Sequence, residues 1–268
     1  LYAVDFGSSP DKVFASLDIH PYSAGEFVWT GFDYLGEPTP YYDSRSSYNG
    51  IIDLAGFPKD RFYLYQARWR PDFPMVHILP HWNWPQREGK ITPVHVFTSG
   101  DEAELFLNGK SLGRKKKGKF EYRLRWDEVK YQPGELKVIA YKNGEKWDEK
   151  IVKTTDKPFK LTAKVDRPVI KTDGKDLSYI TVQITDKNDL MVPTANNELE
   201  FSIEGPGEII ATDNGDPSDL TSFVSKKRNA FNGLALAIVR SKLEEKGTIK
   251  VTVKSNGLQK DIVTIKTQ

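Results

Sequence analysis

The sequence predicts a mainly β chain: two antiparallel sandwiches of immunoglobulin type, preceded by a short, aromatic-rich strand-and-helix segment. Three observations carry this. From about Ile91 onward, short alternating apolar runs are separated by Asn-Gly and related turns, the pattern of sandwich hairpins. Of the 32 aromatic residues, 19 lie in the first 84 positions, including Trp29, Trp69, Trp82 and Trp84, so the first segment has a different job from the rest. A length of 268 residues exceeds what one core usually organises and suits two or three domains.

The first segment opens its case at Gly25-Glu26-Phe27-Val28-Trp29-Thr30-Gly31-Phe32-Asp33-Tyr34-Leu35-Gly36-Glu37-Pro38. Phe27 and Val28 supply β-favouring bulk, while Gly31, Gly36 and Pro38 let the backbone stop and turn, which predicts a buried strand ending in a polar loop. Trp29, Asp33, Tyr34 and Glu37 come just past the apolar run, where a parallel barrel places its active-site groups. Residues 60–69 set Phe62, Tyr65 and Trp69 at i, i+3 and i+7 after Pro58, predicting an amphipathic helix buried along that stripe. Pro71, Pro74, Pro80 and Pro85 then mark an extended, non-helical linker.

In the first sandwich, Val94–Phe97, Leu105–Leu107 and Leu136–Lys142 read as strands, the last two leading into Asn108-Gly109 and Asn143-Gly144. The basic run from Arg114 to Lys119 beside one hairpin reads as a solvated strand edge, against a functional basic patch. The polar stretch 153–158 separates a third unit with strands at 160–165, 179–184, 199–203, 234–239 and 248–253. Neither sandwich carries a catalytic triad, a Gly-rich phosphate loop or a nucleotide fingerprint.

Composition narrows the function classes. The formal charge of +2 is a mosaic of −4 over residues 1–72, +4 over 73–156 and +2 over 157–268, and no segment is basic enough to imply nucleic acid. No cysteine is present, so no disulfide framework, thiolate nucleophile or thiolate zinc site is predicted. Cysteine count alone leaves the compartment open, with periplasmic or secreted favoured over cytoplasmic. No apolar run approaches membrane-spanning length. The opening Leu1-Tyr2-Ala3-Val4-Asp5, without a methionine, reads as the start of a cut-out piece.

Three stretches together carry a family resemblance: Glu26–Trp29 with Phe32-Asp33-Tyr34, then Ser47-Tyr48-Asn49-Gly50-Ile51-Ile52-Asp53-Leu54-Ala55-Gly56-Phe57-Pro58-Lys59-Asp60, then Ala103-Glu104-Leu105-Phe106-Leu107-Asn108-Gly109-Lys110. They resemble glycoside hydrolase family 2, the family of many bacterial β-galactosidases. The resemblance implies that the first stretch is the eighth strand of a (β/α)8 barrel, the second the return into its last helix, and the third part of the sandwich that follows. It implies the division 1–72 for the barrel end, 73–156 for one immunoglobulin-like sandwich and 157–268 for a second, invasin-like one.

A retaining glycosidase needs two carboxyl groups about 5–5.5 Å apart. In the family these are glutamates on the fourth and seventh barrel strands, so the resemblance implies that both lie upstream and that no catalytic residue falls in this chain. The substrate-binding candidates are Trp29, Asp33, Tyr34, Glu37 and Asn49. Trp29 corresponds in the resemblance to the tryptophan lining the sugar subsite, its ring offering an apolar face to a pyranose; the alternative is a core tryptophan. For Asp33 and Glu37, loop hydrogen bonding and sugar-hydroxyl recognition stand side by side, Asn49 lies where some relatives use an asparagine near the sugar, Glu26 reads as structural, and Asp53 as fixing the loop before the helix. Asp213-Asn214-Gly215-Asp216-Pro217 invites a calcium reading but lacks a calcium loop's further ligands, so a plain turn is predicted.

The expectation is therefore the C-terminal portion of a retaining β-galactosidase-like exo-glycosidase acting on terminal β-glycosides. Its partners would be a β-linked glycoside and the remainder of the same enzyme, with no nucleic acid, membrane span, metal or cofactor. The rivals are a non-catalytic carbohydrate-binding or adhesive sandwich protein and a purely structural interaction module. Residues 26–34 are expected to pair with strands of the rest of the enzyme or to dock on the first sandwich through Trp82 and Trp84.

Overall fold

The computed structural model describes residues 7–268, so the reading of Leu1–Asp5 lies outside the described residues. These residues gather into two compact units, one of 7–31 with 58–154, the other of 32–57 with 155–268.

The first unit begins with a helix that sequence reading missed, α1 (Pro10–Ile19). Its start signals are all present: Ser9 Oγ accepts the Lys12 N–H at 3.3 Å, Pro10 takes the first turn, and Asp11 sits at the positive end of the helix dipole. Helix α2 (Asp60–Trp69) lies where periodicity predicts it, but its buried side chains are Leu64, Tyr65 and Ala67, while Trp69 is half exposed. The helix has partners on two flanks, α1 and the first sandwich strands, which the period alone cannot reveal. Phe14 of α1 is fully buried and meets Tyr65 edge-on at 5.3 Å, with Asp18 paired to Arg68. On its other flank α2 rests on the first strands of the sandwich, where Tyr63 stacks on His77 at 3.9 Å and Asp60 bonds the same ring at 2.8 Å.

That sandwich has strands β1 (Val76–Leu79), β2 (Val94–Thr98), β3 (Glu102–Leu107), β4 (Lys110–Lys116), β5 (Leu124–Trp126), β6 (Glu135–Lys142) and β7 (Glu145–Lys153). One sheet runs β1-β2-β5 and the other β4-β3-β6-β7, all antiparallel. Asn108-Gly109 and Asn143-Gly144 make the predicted turns, all four residues at positive φ of 49°, 79°, 53° and 85°. The Arg114–Lys119 run falls on edge strand β4 and beyond, largely solvated, with Arg114 held by Glu102 at 2.6 Å. The proline-marked linker is more structured than expected: it contains β1 and a 3₁₀ turn at Pro85–Arg87. It also sends Trp82 wholly into the core, its N–H donated to the Gln132 carbonyl at 2.8 Å.

The second unit contains β8 (Lys160–Val165), β9 (Val169–Ile170), β10 (Leu177–Thr185), β11 (Glu198–Glu204), β12 (Gly207–Asp213), β13 (Lys227–Asn229), β14 (Leu234–Ser241), β15 (Gly247–Lys254) and β16 (Asp261–Thr267). Its sheets run β12-β14-β10-β8 and β13-β11-β15-β16-β9. Between them Ile180, Val182, Leu199, Phe201, Val239, Ile249, Val251 and Ile265 form a hydrophobic core. Arg228 of β13 is as buried as these, its guanidinium spent on Asp219 and on the Thr212, Thr221 and Ser222 carbonyls at 2.8–3.0 Å. The chain is thus mainly β, as predicted, and no helix among the described residues is long and apolar enough to cross a membrane.

Candidate functional site

Trp29 belongs to the first unit. The backbone from Glu26 to Trp29 has no regular secondary structure, bends at Trp29 and joins no sheet, so the strand predicted there is not formed. A strand needs a neighbour to take its hydrogen bonds and cover its apolar face. Here Phe27 is fully exposed and Trp29 is 73% exposed, with a cis peptide between Trp29 and Thr30. The buried-strand expectation is corrected to an irregular segment that exposes Phe27 and Trp29, and of the expected docking through Trp82 and Trp84 the Trp82 part is corrected too, because that ring lies inside the sandwich. Glu26 is half-buried, and burial pushes its carboxyl above the ordinary value against the opposing charge of Arg68.

Asp33, Tyr34, Glu37 and Asn49 belong to the second unit, within one loop, 32–57. Phe32 and Ile52 form a parallel bridge that ties the loop's two arms. The Asp33 N–H donates to the Ile52 carbonyl at 2.9 Å, and Asp33 Oδ1 accepts the Gly50 N–H at 2.8 Å from a side chain only 3% exposed. The approach demands Gly50, since a Cβ there would lie 2.2 Å from the Asp33 nitrogen. Tyr34 and Ser47 exchange hydrogen bonds, the Tyr34 N–H to Ser47 Oγ at 3.1 Å and the Ser47 N–H to the Tyr34 carbonyl at 2.9 Å. The Tyr34 hydroxyl donates to the exposed Glu37 carboxylate. Asn49 is half-buried beside Gly50. Asp53 closes the turn, with Oδ1 accepting the Phe57 N–H at 2.8 Å.

Arg45 seats this loop on the second sandwich, a role sequence reading missed. Its guanidinium pairs with Asp213 and lies 4.4 Å from the Phe223 ring centroid, and its N–H donates to the Pro217 carbonyl at 2.9 Å. Gly215 fits beside Asp53 only because it has no side chain, a Cβ falling 2.1 Å from Asp53 Oδ2. The Asp213–Pro217 turn is therefore the socket of the loop: Asp213 faces Arg45, and Asn214 bonds Asp219 and the Asn229 carbonyl at 2.9 Å each. The signal for Arg45 was a lone cation in an otherwise aromatic and acidic loop.

Residues 161–264 match the family model for glycoside hydrolase family 2 C-terminal domain 5, and residues 89–148 match a domain of unknown function, DUF4982. The chain is 40% identical over 98% of its length to 30% of the β-galactosidase BoGH2A of Bacteroides ovatus. It is 28% identical over 81% of its length to 22% of a β-glucuronidase of Formosa agariphila. The crystal structure of a β-glycosidase from Bacteroides vulgatus superposes with a TM-score of 0.91 at 34% identity, covering 99% of this chain and 34% of that one. This chain belongs to glycoside hydrolase family 2 and corresponds to the C-terminal region of its β-galactosidases and β-glucuronidases. It spans about a third or less of the length of these relatives.

Proposed function

We propose that the chain is the C-terminal portion of a retaining β-galactosidase-like exo-glycosidase that cleaves terminal β-glycosides. Residues 1–72 would complete the catalytic (β/α)8 barrel, and 73–156 and 157–268 would be the sandwiches that buttress it. The observation that carries this is the Glu26–Trp29 segment: β-favouring in sequence, outside any sheet, and presenting Phe27 and Trp29 to solvent. Burial of such rings is worth about 1.5–3 kcal/mol each, and a chain that leaves them out has a use for them elsewhere.

In this reading Phe27 packs against the upstream barrel and Trp29 provides the flat wall of the sugar subsite. The Tyr34–Glu37 pair offers a hydroxyl and a carboxylate to sugar hydroxyls, and Asn49 an amide. Asp33 acts through the loop, since its Oδ1 is spent on Gly50. The Arg45 anchor supports the buttressing role, because it fixes the polar loop to the second sandwich. Proton transfer and nucleophilic attack require the two carboxyl groups of the upstream barrel, so this chain alone should have no glycosidase activity.

Kinetics of Trp29→Ala in the full-length parent test the assignment. A fall in kcat/KM of about 100-fold, roughly 2.7 kcal/mol, is expected for the loss of the apolar platform. Unchanged kinetics in a folded variant would return Trp29 to ordinary packing, and robust hydrolysis by the purified 268-residue chain would overturn the division of labour.

A further inference from the structure

One end of the second sandwich carries a cavity of about 460 Å³, built wholly from that unit. Its rim presents Thr194, Asn196, Asp216, Asn229, Phe231 and Asn232. With Asn214 in its wall, it draws together four of the chain's 11 asparagines, yet none of its 39 lysines and arginines. In a chain that is 28% charged, such a lining selects for a ligand that is polar and not anionic.

The scaffold behind these side chains is fixed. The Gly233 N–H bonds the Ala195 carbonyl and the Ala230 N–H bonds the Asn197 carbonyl, both at 2.9 Å, which locks the two rim loops together. Gly233, at φ +78°, leaves no space for a Cβ, which would sit 2.4 Å from the Val192 carbonyl oxygen. The floor is held by Asn214 and by Asp219, whose carboxylate is spent on Arg228, Asn214 and the Thr221 N–H. By contrast, the side chains of Thr194, Asn196, Asn229 and Asn232 make no hydrogen bond among the described residues. Three amides and a hydroxyl on a rigid concave frame, beside the half-buried ring of Phe231, form a preorganised set of donors and acceptors next to an apolar face. That combination matches a pyranose, whose hydroxyls need both donors and acceptors and whose C–H face needs an aromatic.

We infer that this cavity is a glycan-binding site for a neutral saccharide, separate from the candidate site around Trp29. The size agrees: small-ligand sites run to about 300–1,000 Å³, whereas an ion with its waters needs far less. The site shares the 213–219 turn with the Arg45 anchor, so a glycan held here would lie on the sandwich that seats loop 32–57.

The test does not depend on glycosidase activity. The 268-residue chain is titrated with lactose, cellobiose and maltose in turn, followed by calorimetry and by the side-chain amide signals of its asparagines. Saturable binding of at least one disaccharide is expected, with a Kd of about 1 mM or tighter. Asn196→Ala, at an exposed position without internal bonds, should weaken it about tenfold with an unchanged unfolding midpoint, while Trp29→Ala should leave it intact. Absence of saturable binding by all three, binding indifferent to Asn196→Ala, loss of binding in Trp29→Ala, or uptake of calcium alone from calcium chloride would each overturn the inference.

Discussion

Val251 on β15 and Phe27 before Trp29 are both β-favouring residues, yet one is 2% exposed and the other fully exposed. The difference lies in neighbours. Strand β15 is flanked by β11 and β16 and faced by a second sheet, so its alternate side chains enter a core. The Glu26–Trp29 segment has the same local preference without a sheet to join. The second sandwich thus buries its strands in a core of its own, whereas the early segment leaves its apolar side chains exposed, as the proposed completion by a longer enzyme requires, and mutations should separate the two regimes.

The largest effect is expected at Arg228. Replacing it with alanine leaves Asp219 and three carbonyls facing a void, which should cost about 3–5 kcal/mol in denaturant unfolding. The pair also sets an acid limit. Burial disfavours the charged form of Asp219, but hydrogen bonds from Thr221 and Arg228 outweigh it and hold the carboxyl at about 2. With the unfolded value at about 3.9, its contribution is complete above that pH and lost as pH falls toward 2. Arg228→Ala should therefore flatten that part of the stability–pH curve; an unchanged acid limb would detach Asp219 from the mechanism.

A smaller effect is expected at Arg45, which joins the two styles of structure. Arg45→Ala leaves Asp213 buried without its cation and should cost about 1–3 kcal/mol. It should also speed amide exchange at Gly50 and Phe57, whose protection depends on loop 32–57 staying seated. Loss of stability with those amides unchanged would mean that Arg45 serves only the sandwich.

The smallest effect is expected at Phe27. Phe27→Ser in this chain should shift stability by no more than about 0.5 kcal/mol, since the ring is in water already. In the full-length parent the same change should cost about 3 kcal/mol or more. Equal, negligible costs in both would place Phe27 on a true surface.

Much of the fold was legible because its signals are local. Asn108-Gly109 and Asn143-Gly144 named their hairpins, five strands of the second sandwich announced themselves by alternation, and Asp60–Trp69 by its period. What escaped depended on partners. Strand β16 is sealed only on one face, by Ile265 against the core, so its alternation is diluted by threonine and lysine. The buried face of α2 depends on Phe14 on one side and the first sandwich strands on the other, and Trp82 turns into the hydrophobic core, where the Gln132 carbonyl accepts its N–H. In the candidate site, Asp33 and Tyr34 were visible as residue types, but their Gly50 and Ser47 partners lie 17 and 13 positions away, and Arg45 reaches 168 positions to Asp213.

In the proposed function the Glu26–Phe32 segment is completed by the rest of a longer enzyme. Amide hydrogen exchange over residues 26–32, measured in this chain and in the full-length parent, tests it most directly. Rapid exchange is expected in the chain alone and at least about 100-fold protection in the parent, as for a strand entering a barrel. Equally fast exchange in both would contradict it.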